Sequence, residues 1–101
     1  MKHKLIRNKE HLLACINACE VGEQIDLFLL LGICRSSKTL IKHDDGHITL
    51  CNEIDGTTHL YLSVDEMLED TGRNNIKREL GKGYVFLYDF NPEKILSVGR
   101  D

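Results

Sequence analysis

Cys51, Glu53, His59 and Tyr61 are the residues whose types come closest to a reaction centre, since they supply a nucleophile, an orienting acid and a base. Whether they meet depends on strand register, because a slip of one residue turns a strand's whole apolar set to the other face. Placing Ile48, Leu50 and Ile54 on one face with Leu60, Leu62 and Val64 requires Ile54 to pair with Thr58 across a loop of Asp55, Gly56 and Thr57. The opposite face then carries Lys42, Thr49, Cys51, Glu53, His59, Tyr61 and Ser63, with Glu53 opposite His59 and Cys51 opposite Tyr61. No phosphate-binding loop, nucleophile elbow, oxyanion-hole glycine motif or HExxH accompanies this set. A non-enzymatic protein is therefore the expectation, with a thiol- or metal-dependent enzyme on the polar sheet face as an alternative.

Metal chemistry has two candidate groups. Cys15 and Cys19 stand four apart on a predicted helix, but structural zinc takes four ligands, and Cys34 and Cys51 lie far off in sequence. His43-Asp44-Asp45-Gly46-His47 offers two imidazoles and two carboxylates, yet a pairing of His43 with Ile48 sends the two rings to opposite faces. The cysteines read as small core residues and the histidines as part of a polar turn, so neither a metal nor another cofactor is expected.

Charge is the third source of function. The net charge is −3, but residues 44–72 hold eight acids and no Lys or Arg, a local −8. Residues 73–82 then carry four cations and Glu79, a local +3. Asp65, Glu66, Glu69 and Asp70 form a predicted acidic surface for a protein partner, since charge asymmetry speeds encounter with a basic surface. Arg73, Lys77, Arg78 and Lys82 lie on a second short helix, and a helix-turn-helix contact with nucleic acid through them is the alternative. The acidic balance argues against broad phosphate affinity.

The segment Lys82-Gly83-Tyr84-Val85-Phe86-Leu87 is similar to the RNP1 motif of the RNA recognition motif family over six residues. It departs from that motif at Val85, where a small residue belongs, and at Asp89, where a late aromatic belongs. In that family a further helix and strand follow the motif, whereas eleven residues follow Phe90, so that fold is rejected. The row Tyr84, Phe86, Tyr88 and Phe90 is assigned to core packing.

The elements that would position these residues are legible in the pattern. Residues 38–64 contain two Asp-Gly turns between alternating stretches, a strong hairpin signal, and read as a three-stranded meander. Asn8 is a predicted N-cap for a helix over 9–20 ending at Gly22. Residues 25–34 suit either helix or strand; the short Arg35-Ser36-Ser37 connection favours a strand joining the meander. Lys4-Leu5-Ile6 is either an edge strand or a lead-in. Ser63 and Glu66 form a predicted capping box for a helix over 64–70, a second short helix follows over 74–80, and 84–90 alternates as an aromatic strand ended by Asn91-Pro92.

The fold class expected is α+β, one domain over 1–101, with an N-terminal helix on an antiparallel sheet of four to five strands and two short helices between meander and aromatic strand. No apolar run is long enough to span a bilayer and no signal-peptide core follows Met1, so a cytoplasmic protein without a membrane contact is expected. Together these features predict a small protein-binding or regulatory module acting through its acidic surface.

Overall fold

The computed structural model describes residues 3–88. In chain order the elements are β1 (His3–Leu5), α1 (Lys9–Asn17), β2 (Gln24–Leu31), β3 (Cys34–Lys42), β4 (Ile48–Asn52), β5 (Thr57–Tyr61), α2 (Val64–Glu69), α3 (Ile76–Lys82) and β6 (Val85–Tyr88). The six strands form one antiparallel sheet in the order β1-β6-β2-β3-β4-β5. The fold is α+β, with six strands rather than four or five because His3–Leu5 pairs with β6. The favoured strand runs only to Leu31; Gly32-Ile33 is a two-residue turn, and Cys34 with Arg35, Ser36 and Ser37 belongs to β3 instead of forming the connection. Gly32 takes φ +67°, which suits the first position of such a turn.

All three helices contribute to one core against one face of the sheet. Leu12, Cys15 and Ile16 of α1, Met67 and Leu68 of α2, and Ile76 and Leu80 of α3 pack with Ile25, Leu27, Leu29, Leu40, Ile48, Leu50, Tyr61, Val85 and Leu87. The helix boundaries follow from their caps. Asn8 Oδ1 accepts from the His11 amide at 2.8 Å and opens α1. The helix stops at Asn17, short of the predicted end, and the Lys42 ammonium donates to the Cys19 carbonyl just beyond it at 2.9 Å. A cation there satisfies a backbone acceptor left by the ending helix. Ser63 Oγ caps the Glu66 amide at 3.1 Å, and Glu66 reaches back to the Leu62 amide at 2.8 Å, one residue before the predicted partner.

Asn74 explains why α3 starts at Ile76 and not at 74. Its buried side chain donates to the Met67 carbonyl at 3.0 Å and accepts from the Ile76 amide at 3.1 Å. One amide thus closes α2 and opens α3. The sheet-facing side of α3 is then fixed by Ile76 and Leu80, and the helix runs through Gly81, two residues past the expected end at Leu80, to a left-handed cap at Gly83.

Both expected hairpin registers are corrected. In the first, Leu40 pairs with Leu50 and Lys42 with Ile48, in place of Ile41 with Leu50 and His43 with Ile48. β3 is an interior strand, and its pairing of Leu40 with Ile25 sets which of its residues face the helices. In the second, Asn52 pairs with Thr57, Leu50 with His59 and Ile48 with Tyr61. The loop therefore has four residues, 53–56, with Gly56 at φ +72°. Tyr61 replaces Leu62 in the core because its ring is large and its hydroxyl finds a carboxylate, Asp70 Oδ2, at 2.7 Å. Ile54, Leu60 and Leu62 point to water at 73 %, 55 % and 64 % exposure.

The aromatic row is corrected as well. Register on β2 pairs Leu27 with Leu87 and Leu29 with Val85, so the aliphatic residues of β6 enter the core. Phe86 and Tyr88 occupy the helix-free face beside Phe28, which stacks on Phe86 at 5.0 Å and meets Tyr88 at 4.5 Å. The Arg35 guanidinium lies 4.5 Å over the Phe28 ring. A strand apolar on both sides cannot declare its inner face by alternation; the neighbour it pairs with decides. Asp89, Phe90, Asn91-Pro92 and the tail lie outside the described residues.

Candidate functional site

The four residues of the expected polar face are divided by the sheet. Cys51 pairs with Thr58 on the helix-free face, where Thr58 Oγ1 donates to its sulfur at 3.7 Å. Glu53 lies on that side too, 3.3 Å from Thr39 Oγ1, which also contacts Asp26 Oδ1 at 3.0 Å. His59 and Tyr61 face the helices, with ring centroids 4.6 Å apart. Glu53 is therefore not opposite His59, and Cys51 is not opposite Tyr61.

The acidic and basic quartets meet in two pairs, and their other members are engaged elsewhere. Asp65 binds Lys9 at 2.5 Å, Glu69 binds Lys77 at 2.6 Å, and Asp70 accepts from Arg73 Nε at 3.2 Å. Asp65 holds the Lys9 ammonium above its usual pKa, through the hydrogen bond first and its charge second. Glu66 is engaged as the α2 cap. Arg78 and Lys82 share buried Glu79 at 3.0 and 3.8 Å. A protein or nucleic-acid ligand at either quartet would compete with pairs already made, and the exposed ones are individually weak.

The histidine turn also resolves into local contacts. His47 Nδ1 sits 2.9 Å from Asp45 Oδ2, while His43 Nε2 sits 2.7 Å from Thr49 Oγ1. Cys15 is buried, Cys34 is exposed, and the Cys19 thiol donates to the Cys15 carbonyl at 3.4 Å. Among the described residues no three His, Cys, Asp or Glu side chains converge to hold a metal ion.

Two features escaped sequence reasoning. The first is the outer edge of β5. The Glu53 amide donates to the Ser37 carbonyl, so odd-numbered residues of β4 turn their peptide groups toward β3 and even-numbered ones toward β5. On β5 it follows that Thr57, His59 and Tyr61 pair inward, while Thr58 and Leu60 turn N–H and C=O to an edge that has no neighbouring strand among the described residues. That edge carries no charged side chain, although edge charges are a common guard against unwanted pairing. Alternation at 57–62 was the available signal, but it was read for the wrong face.

The second is a cleft of about 230 Å³ between the β4–β5 hairpin and the α2–α3 turn, lined by Asn52, Asp55, Thr57, Thr58, His59, Tyr61, Gly72 and Arg73. Behind its wall, Lys38 is only 6 % exposed and its ammonium donates to Asn52 Oδ1 at 2.5 Å. Burial pushes the Lys38 pKa down, with the Asp55 charge opposing that shift. Asp55 is held below the usual carboxylate range by the Thr57 amide at 3.0 Å and by the Thr57 hydroxyl at 2.7 Å. Burial first, and then the bond to Asp70, raise the Tyr61 hydroxyl to about 12. A larger groove of about 330 Å³ lies where Asn8 meets α2 and α3, but Lys9 and Lys77 in its walls are taken by Asp65 and Glu69.

Comparison of the chain with known protein families, with curated proteins and with solved structures gives no match. No helix among the described residues is long and apolar enough to cross a membrane.

Proposed function

We propose that this chain is a small, non-enzymatic protein-binding module and that its contact strand is β5, which accepts an extended segment of a partner as a seventh strand. The observation that carries this reading is the uncharged outer edge, where the peptide groups of Thr58 and Leu60 meet no strand among the described residues and lie between exposed Ile54 and Leu62. Strand addition takes its affinity from main-chain hydrogen bonds and its selectivity from side chains flanking the edge. Leu60 and Leu62 supply an apolar flank on the helix-free face. The acidic quartet expected from the sequence is a weaker candidate surface, because its members are committed to Lys9, Lys77, Arg73 and the α2 cap.

Leu60→Pro tests the proposal. Proline removes the outward N–H of an edge position without touching the pairs that β5 makes with β4. Peptides selected from a random library on the wild-type chain should slow amide exchange at Thr58 and Leu60. They should lose about tenfold or more in affinity on Leu60→Pro, as expected for one or two lost backbone bonds with their desolvation. Peptides that bind Leu60→Pro as well as wild type, or that respond instead to Glu66→Lys with Glu69→Lys, would return the contact surface to the acidic face.

A further inference from the structure

We propose that the cleft between the β4–β5 hairpin and the α2–α3 turn binds a small oxyanion. The ligand is the carboxylate or phosphate group of a low-molecular-weight compound, gripped by the terminal nitrogens of Arg73 and the ring of His59, with the Lys38 charge behind Asn52. This site borders the β5 edge and shares Thr58 with it, but it rests on side chains of the cleft and not on the outward peptide groups of that strand.

The argument is an accounting of hydrogen-bonding groups. Arg73 commits Nε to Asp70, and its terminal nitrogens have no acceptor among the described residues. The His59 ring is half-buried against Tyr61, and its nitrogens make no hydrogen bond among the described residues. The Lys38 ammonium has three protons and one acceptor, Asn52 Oδ1. The acceptors around the cleft are largely spent. Asn52 Oδ1 serves Lys38, Thr57 Oγ1 accepts from Asn52 Nδ2 at 3.0 Å, and Asp70 Oδ2 serves both Tyr61 and Arg73. Asp55, the one acid in the lining, has Oδ1 occupied twice by Thr57.

Donors are thus in surplus, and a surplus of donors around a concavity selects an acceptor-rich guest. The fork of Arg73 matches the paired oxygens of a carboxylate or phosphate. A volume of about 230 Å³ sets the scale of that guest, since it falls below the range of drug-sized pockets. The site accommodates a small acid or a phosphate group. Asp55 opposes the anion, and this gives the proposal a signature that general surface basicity lacks.

The test is a ¹H–¹⁵N NMR titration of the full chain with sodium phosphate, with sodium malonate, and with sodium chloride at matched ionic strength. Saturable shifts are expected at Thr57, Thr58, His59, Gly72 and Arg73, and the arm that saturates at lower concentration identifies phosphate or carboxylate as the preferred group. Arg73→Gln should weaken binding about tenfold or more, Lys38→Met several-fold, and Asp55→Asn should tighten it. The same spectra report whether each variant is folded, and Arg73 is exposed enough for its variant to stay so. Linear shifts shared with chloride, shifts spread over Lys9, Lys77 and Lys82, or a wild-type affinity retained by folded Arg73→Gln would each overturn the assignment.

Discussion

Replacing Tyr61 with Phe removes one oxygen from a residue that is 2 % exposed and leaves its packing on Ile48 and Leu50 in place. The loss is the bond to Asp70 Oδ2 at 2.7 Å. A hydrogen bond to a charged acceptor contributes about 1.5–3 kcal/mol. Burial is the first cause of the rise of the hydroxyl from 10.0 to about 12 and the bond to Asp70 the second, so the shift sets the direction of the pH dependence and not the strength of the bond. Tyr61 borders the cleft and Asp70 is partly in water, so screening trims the expected loss to about 1–2 kcal/mol. For a domain of this size that lowers Tm by roughly 4–8 °C per kcal/mol. The folded pKa lies above the unfolded one, so the contribution is complete below pH 10 and disappears as pH rises through 12. Urea unfolding of wild type, Tyr61→Phe, Asp70→Asn and the double variant at pH 7 measures the coupling, and a pH series above 9 follows its decay. A loss below about 0.3 kcal/mol, or a loss undiminished in the Asp70→Asn background, would refute the inward placement of Tyr61 and with it the register of β5.

Ser63→Ala removes the side-chain acceptor of the Glu66 amide and should cost about 1 kcal/mol, with amide exchange accelerating first within the six-residue α2. Uniform acceleration across the chain would show that α2 does not open on its own. Gly32→Ala meets no atom within 4 Å, so its whole cost is the positive φ of the β2–β3 turn, about 1–2 kcal/mol in the urea midpoint. An unchanged midpoint would show that the turn relaxes.

Local signals in the sequence translated well into structure. The Asp-Gly turns and the Asn8 and Ser63 caps depend on residues a few positions apart, and each lies where its chemistry requires. Register did not, because it is set by partners distant in sequence. Leu40 faces inward on account of Ile25, and Val85 on account of Leu29. Between Leu60-Leu62 and His59-Tyr61 the hydrophobicity count chose the leucines, whereas the core took the tyrosine that Asp70 could satisfy. The cleft was illegible for the same reason. It joins Asn52 and His59 from one hairpin to Arg73 from a helical turn, and no spacing rule links them.

The strand order carries a consequence for how the chain assembles. β2 through β5 are sequential neighbours and can zip together as soon as they exist, but β6 must wedge in beside β2, and among the described residues β1 pairs only with β6. Of the six described strands, the earliest in the chain is therefore the last to find its seat. Until Val85–Tyr88 emerges, the flank of β2 holding Leu27, Phe28 and Leu29 is bare. A ribosome stalled at that point would hold a half-finished sheet with its greasiest rim uncovered, the stage at which a chaperone would matter most.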